Sequence, residues 1–216
     1  MPDEISNPAY TAFFAALVDG RLRLGQTLTQ DDLCRALGYT LSPVREATTL
    51  LEAEKLITVR RKVGITIFYP DVDFIGDCFQ FRGLLEREGL RKFAATLPEG
   101  WIARMRVAHE QIIGFVREVN DLERYRVPVR DLESQFHRSF IGAYGNQQIS
   151  STYARLSQKM YLIRLHNLVA VGPANTVQSM NEHLLVVEAL AGGDIEGAME
   201  ALDNHLMAVL HRVITT

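Results

Sequence analysis

Residues 28–67, LTQDDLCRALGYTLSPVREATTLLEAEKLITVRRKVGITI, decide the fold of the first part of this chain. Thr29 is suited to cap a helix whose first turn carries Asp31 and Asp32, because carboxylates stabilise the positive end of a helix. Gly38 is suited to end that helix.

Pro43 falls near the first turn of a second helix, where its missing N–H costs nothing. The second helix presents an apolar face with a spacing of three to four, made of Val44, Ala47, Leu50 and Leu51. Two short helices joined by a tight turn with a glycine predict a helix-turn-helix.

A small hairpin follows the second helix. The β-branched runs 56–59 and 65–68 flank the segment Arg60-Arg61-Lys62-Val63-Gly64, which brings three cations and a turn glycine. The whole unit is therefore predicted to be a winged helix-turn-helix, with the second helix in the major groove and the wing on the DNA backbone or minor groove. The alternative is a helix–hairpin module that binds protein. The residues predicted to face DNA are Thr40, Ser42, Arg45, Thr48 and Thr49 around the recognition helix, and Arg60, Arg61, Lys62 and Gly64 in the wing.

The recognition helix carries a motif that resembles a known family. The run Ser42-Pro43-Val44-Arg45-Glu46-Ala47, followed by Leu50, Leu51 and Leu56, is similar to the PVREAL core of the GntR family of bacterial transcription regulators. The resemblance covers about residues 8–68. Many members have an operator-contacting arginine where this chain has Leu41. The resemblance therefore implies either an unusual operator or a greater dependence on Arg45 and the wing.

Composition bounds the class of protein. The chain has 216 residues, 47% hydrophobic and 23% charged, with a net charge of −3. Residues 1–68 hold eight basic and eight acidic side chains, so the cations of the DNA-reading unit are clustered rather than abundant. Cys34 and Cys78 lack metal-ligand spacing and are expected to be reduced thiols. We find no signal-peptide pattern and no apolar run long enough to span a membrane, so we expect a cytoplasmic protein.

The rest of the chain shows helical periodicity without a convincing strand. A first helix is predicted over 8–19, and Pro70 marks the boundary between two domains, 1–70 and 71–216. The second domain is predicted to be a six-helix antiparallel bundle, which makes the fold mainly α. Its helices are expected over 71–97 with a break near Gly76, 98–120, 127–145, 146–171, 173–191 and 194–213.

Three of the six histidines have a spacing that can bring them together. His137 follows Glu133 by four residues, so the two share one helix face. His183 and His205 flank the turn at 192–193 and lie at about the same height in an antiparallel hairpin, roughly 14 and 18 Å from the turn at 1.5 Å per residue. One carboxylate and three imidazoles can surround zinc or nickel. The alternative is that these side chains are separate polar residues of the core or surface.

The second domain resembles the FadR-type C-terminal effector domain, FCD, and its helix count resembles the VanR-like subgroup. Three segments carry the match: 81–86, 133–146 and 182–206. The resemblance implies a divalent metal, zinc or nickel, on Glu133, His137, His183 and His205. Glu133 stands where the family usually has aspartate, which lengthens that ligand by a methylene. If Glu133 fails as a ligand, the chain is a sensor without metal.

The predicted function is a ligand-responsive transcription regulator, a repressor that binds a double-stranded DNA operator as a homodimer. Its effector is expected to be a small organic acid held near the metal, with Arg82 as the best additional contact. The alternative role of Arg82 is an ion pair with Glu86, one turn away on the helix surface. We predict that the protein is not an enzyme; the alternative is a metal-dependent enzyme acting on a small carboxylate, with the first domain used for association. Further ligand-binding candidates are Arg138 and Asn181, followed by Arg155, Arg164 and Asn167.

Overall fold

The computed structural model describes residues 7–215 and divides them into two compact units. The first unit ends at Asp71 and the second begins at Val72. Neither unit, within the described residues, has a helix long and apolar enough to cross a membrane.

Three helices form the body of the first unit: α1 Pro8–Val18, α2 Gln30–Leu37 and α3 Leu41–Ala53. Thr29 and Asp32 form a capping box at α2, in which Thr29 Oγ1 accepts from the Asp32 N–H at 3.1 Å and Asp32 accepts from the Thr29 N–H at 3.0 Å. Gly38 ends α2 in the left-handed conformation, as its sequence position predicted. Asn7 caps α1 and also donates to the Pro43 carbonyl at 3.0 Å, which fixes the start of α3 against α1.

A three-stranded antiparallel sheet completes this unit, in the order β1-β3-β2. The wing is the hairpin of β2 Ile57–Arg60 and β3 Gly64–Ile67, and β1 Thr27–Leu28 pairs with the other side of β3. The hairpin was predicted from the sequence, whereas β1, with two residues, is too short to show a period of two. Gly64 has a φ of 125°, and a Cβ there would lie 2.6 Å from the Leu28 carbonyl oxygen. The close pairing of β1 with the wing therefore depends on this glycine.

Six α-helices form the second unit, and the described residues after 71 contain no strand, as predicted. A short 3-10 turn, Val169–Val171, precedes the fifth of them. The helices are α4 Val72–Ala95, α5 Trp101–Val119, α6 Leu122–Gly142, α7 Gln147–His166, α8 Pro173–Ala191 and α9 Ile195–Thr215.

Three predicted helix boundaries were wrong. Helix α7 ends at His166 rather than near Val171, and the 3-10 turn Val169–Val171 is separate from it. Helix α4 continues through Gly76 without a break. Helix α6 begins at Leu122 rather than near Val127, because Asp121 caps it by accepting from the Glu123 N–H at 3.1 Å. Pro128 is therefore the seventh residue of α6, where it removes one backbone donor without ending the helix.

The packing of the second unit brings α4 close to α6. A Cβ on Gly89 of α4 would lie 2.7 Å from the Phe140 carbonyl oxygen, so only glycine allows this approach. Phe136, which is fully buried on α6, stacks on the ring of His183 with centroids 4.2 Å apart. The aromatic core thus supports the histidines from one side.

Candidate metal centre and adjoining cavity

Three buried histidines meet inside the helical bundle. His137 lies on α6, His183 on α8 and His205 on α9, with exposed fractions of 3%, 0% and 0%. One ring nitrogen of each lies within 4.8 Å of the other two. The His183 and His205 Nε2 atoms are 3.1 Å apart, which confirms that the two helices of the α8–α9 hairpin bring them to the same height.

Each ring is oriented by a partner outside the cluster. His137 Nδ1 lies 2.7 Å from Glu86, and His205 Nδ1 lies 2.8 Å from Glu182. Carboxylates that hold the second nitrogen of an imidazole are typical of metal-ligating histidines, because they fix the tautomer and the ring orientation. Both Nδ1 atoms therefore carry protons, and both Nε2 atoms carry lone pairs.

His183 is oriented by His109, which in turn is held by a backbone carbonyl. Its Nδ1 lies 3.0 Å from His109 Nε2, and His109 Nδ1 lies 2.7 Å from the Met105 carbonyl oxygen. A carbonyl can only accept, so His109 Nδ1 donates to it and His109 Nε2 accepts from His183 Nδ1. His183 Nε2 is thereby left with a lone pair, like the other two.

Three converging lone pairs fit a cation. The lone pairs of His183 and His205 face each other at 3.1 Å, which is repulsive unless a positive charge lies between them. His137 Nε2 is buried and has no hydrogen-bond partner among the described residues. Burial lowers the pKa of His137 to about 4 and that of His183 well below its usual range, so both rings are neutral at pH 7 and able to ligate.

Glu86 connects the cluster to α4 and α7. Its carboxylate accepts from Arg82 Nε at 2.6 Å and from the Tyr153 hydroxyl at 2.5 Å, in addition to His137. Burial opposes ionisation of Glu86, but Arg82 and His137 hold the pKa of Glu86 below its usual range. The ion pair of Arg82 with Glu86 is thus present but buried, and Arg82 does not line the cavity described below.

Glu133 lies outside the group of three histidines. It is buried, with 6% exposure, and its Oε2 forms an ion pair with Arg164 of α7. Burial opposes ionisation, but Arg164 and His137 lower the pKa of Glu133 to about 2, so it is a carboxylate. Glu133, the fourth predicted metal ligand, is thus paired with Arg164, and this contact was not predicted from the sequence.

A cavity adjoins the cluster between α6, α7, α8 and α9. Most of its walls are apolar, and its polar walls carry four guanidinium groups and the Glu133 carboxylate. Arg126 Nε is buried there and has no hydrogen-bond partner among the described residues. The four arginines are Arg126, Arg130, Arg164 and Arg212.

The cavity differs from the predicted ligand-binding set. Arg138 and Asn181 are exposed and do not line it, because they lie on the outer faces of their helices. Arg126 and Arg130 were missed, although their spacing of four, with Glu133 three residues further, places all three on one helical face. The incorrect start of α6 hid this pattern, since Arg126 then lay outside the helix.

In the first unit, the predicted DNA-facing residues lie mainly on the surface. Thr40, Ser42, Arg45 and Thr49 are exposed, whereas Thr48 is half-buried and donates to the Val44 carbonyl at 2.7 Å. Leu50, which was predicted to point inward, is 38% exposed. In the wing, the side chains of Arg60, Arg61 and Lys62 are exposed, and Gly64 is half-buried beside β1.

A winged helix-turn-helix followed by a bundle with a buried histidine cluster defines a transcription regulator with a sensing unit. Residues 77–208 match the family model described as the FCD domain, and residues 7–67 match that of the bacterial regulatory proteins of the gntR family. The chain belongs to the GntR family, in the group that carries an FCD domain, and regulates transcription by binding DNA.

Relatives are similar along most of the chain. It is 26% identical over 202 residues to the HTH-type transcriptional regulator BphR of Paraburkholderia xenovorans (strain LB400), covering 89% of this chain and 78% of that one. It is 26% identical over 196 residues to a Paenarthrobacter nicotinovorans protein named "Probable D-xylose utilization operon transcriptional repressor", covering 90% and 82%. The structure of E. coli McbR/YncC shares the fold, with a TM-score of 0.70, 20% identity, and 94% and 95% of the two chains covered.

Proposed function

We propose that this regulator senses a small organic acid at a divalent metal held by His137, His183 and His205. The observation that carries the proposal is the convergence of three Nε2 lone pairs in a buried site. A metal bound there would act as a Lewis acid that holds an anionic group of the effector. Three imidazoles suit zinc or nickel.

The adjoining cavity supports an anionic effector with an apolar body. Guanidinium groups bind carboxylates in a bidentate manner, and four of them line this cavity. Its remaining walls include Leu122, Val129 and Leu165, which would pack against hydrocarbon. An organic acid offers an anionic group to these guanidiniums, each of which already pairs with a carboxylate of the protein, and hydrocarbon to the apolar walls, whereas a neutral sugar offers neither.

We further propose that the protein acts as a homodimeric repressor on a near-palindromic operator. Two winged heads are needed to occupy two half-sites on successive major grooves. The relative named as a repressor supports the sign of regulation. The effector can release DNA only if it binds the DNA-incompetent state more tightly than the competent one.

Elemental analysis of the purified protein tests the metal. We expect about one zinc or nickel per chain in the parent and none in a His183→Ala, His205→Ala double variant. The matched control is His211→Ala, an exposed histidine of α9 outside the cluster, which should retain the metal. Absence of metal from the parent, even after dialysis against micromolar zinc, would remove the metal from the proposed function.

The enzyme alternative has less support, because the relatives are named as transcriptional regulators. It also predicts a different result, because a metal-dependent enzyme would turn over a small carboxylate in the absence of DNA. We expect no such turnover by the zinc-loaded protein and a specific DNA complex instead.

A further inference from the structure

Arg164 takes part in a buried ion pair and also lines the cavity. Its guanidinium pairs with the Glu133 carboxylate, and both side chains line the cavity. The side chain of Arg164 is 20% exposed, whereas that of Glu133 is 8% exposed. The ion pair therefore lies on the cavity wall, with Glu133 the more deeply buried of the two side chains.

Glu133 also lies near the histidine cluster. It lies one turn before His137 on the same face of α6, and it interacts electrostatically with both His137 and His205. A divalent cation among three neutral imidazoles has no anionic ligand, although carboxylates ligate zinc readily. A bound metal would therefore attract this carboxylate more strongly than a single guanidinium does.

The Glu133 carboxylate cannot pair fully with Arg164 and ligate the proposed metal at the same time. If Glu133 turns toward the metal, Arg164 keeps its charge but loses its partner on the cavity wall. A guanidinium without a partner in a mostly apolar cavity needs an anion, because an unpaired buried charge is strongly destabilising. A carboxylate entering the cavity would supply that anion in bidentate geometry.

We propose that Arg164 and the metal compete for Glu133, and that the guanidinium released by metal capture is the anion-binding group of the cavity. This inference rests on the proposed metal site and deepens it. It makes Glu133 an exchangeable ligand rather than a fixed one. It also makes metal and effector bind cooperatively, since each favours the arrangement that the other needs, and the effect must be equal in both directions.

A double-mutant cycle with zinc alone tests the competition. Zinc affinity is measured by competition with a chromophoric chelator for the parent, Arg164→Met, Glu133→Gln and the double variant. Arg164→Met should raise zinc affinity about fivefold or more, the lower end of typical coupling between sites. Glu133→Gln should lower zinc affinity, and Arg164→Met should then add nothing. Unchanged or weaker zinc binding by Arg164→Met in the parent background would overturn the competition.

The matched control is Arg130→Met, which removes another guanidinium from the same cavity without touching Glu133. It should leave zinc affinity unchanged. Arg164→Met can be unstable without metal, so the Co²⁺-substituted parent and Glu133→Gln give a second measurement. Their visible spectra should differ if Glu133 is a ligand, and identical spectra would overturn its transfer to the metal.

The release of Arg164 is tested without metal. In zinc-free Glu133→Gln the guanidinium no longer faces a carboxylate, so acetate, hexanoate or benzoate should bind more tightly than to the zinc-free parent. Arg164→Met should abolish this gain. Equal carboxylate binding by zinc-free parent and Glu133→Gln would overturn the anion-binding role. A parent that binds no zinc would instead remove the proposed function itself, so the two failures are distinguishable.

Discussion

Each imidazole of the histidine cluster depends on one acceptor outside the cluster. For His205 this acceptor is Glu182, which also pairs with Arg212 at 2.8 Å. Burial opposes ionisation of Glu182, but Arg212 and His205 lower the pKa of Glu182 to about 2. Glu182 therefore remains a carboxylate at neutral pH and accepts the hydrogen bond from His205 Nδ1.

We expect Glu182→Gln to weaken zinc binding by about 10- to 100-fold, because outer partners of metal-ligating histidines have effects of this size. An amide accepts more weakly than a carboxylate and can present its N–H₂ instead, which would turn the ring. Zinc affinity is measured by chelator competition. Glu188→Gln, on the same helix but paired with the exposed Arg106, is the control and should bind zinc like the parent.

Arg45 is the residue of α3 that we propose to read DNA. It is exposed, and it has no ion-pair partner among residues 7–215. We expect Arg45→Ala to weaken operator binding by roughly 1–3 kcal/mol if the guanidinium contacts a base. Titration of labelled operator and of unrelated DNA separates two roles: a base contact weakens only the former, and a phosphate contact weakens both and makes the salt dependence shallower.

The control for Arg45 is Arg35→Ala, which removes a cation of α2 that already pairs with Asp32. It should change operator affinity little. If Arg45→Ala bound operator like the parent, α3 would not be the recognition helix.

Much of the metal site was accessible from sequence because helices have a fixed rise. The spacing of His183 and His205 about the turn was enough to place them at one height. The partners Glu86 and His109 were not accessible, since they lie 51 and 74 residues from the rings they hold. Contacts between distant helices depend on packing, such as the approach of α4 to α6 at Gly89, and no local pattern reports it.

At the level of elements, the capping box of α2 makes the stability of the first unit depend on pH. Hydrogen bonds from the Thr29 side chain and backbone lower the pKa of Asp32 below 3.8. Because the folded-state pKa is the lower one, the stabilising contribution is fully present above 3.8 and is lost as the pH falls through the folded value.

We therefore expect Asp32→Asn to make the stability of the first unit less dependent on pH below about 4. Urea unfolding at pH 7, 4 and 3 measures it, with the largest difference from the parent at pH 7. Asp31→Asn is the control, since Asp31 lies in the same first turn but makes no capping contact. An acid dependence of Asp32→Asn equal to that of the parent would mean that the box contributes nothing to it.

The elements that sequence missed have two different physical causes. Strand β1 has two residues, so its pairing with β3 creates it rather than any local preference. The early start of α6 depends on the cap at Asp121, which outweighs the boundary that Pro128 suggested. Where caps and apolar periodicity agreed, as at Thr29 and Gly38, the predicted bounds were accurate.

At the level of the whole molecule, the two compact units should respond differently to metal. A ligand that binds only the folded state stabilises it by about 2.7 kcal/mol at a free concentration one hundred times its dissociation constant. We expect calorimetry to show two thermal transitions, of which zinc raises only that of the helical bundle. The His183→Ala, His205→Ala variant should show no zinc response. A shift of both transitions together would mean that the units unfold as one.

The burial of three imidazole nitrogens in one cluster bears on which divalent ions the protein can select. Magnesium and calcium, the abundant divalent ions, prefer several oxygen ligands and keep their waters, and this cluster offers three imidazoles and at most one carboxylate. Three imidazoles therefore favour zinc or nickel over either ion. If the proposed metal and organic acid bind together, the response to the acid would require transition metal, which would couple transcription of the target genes to the availability of that metal.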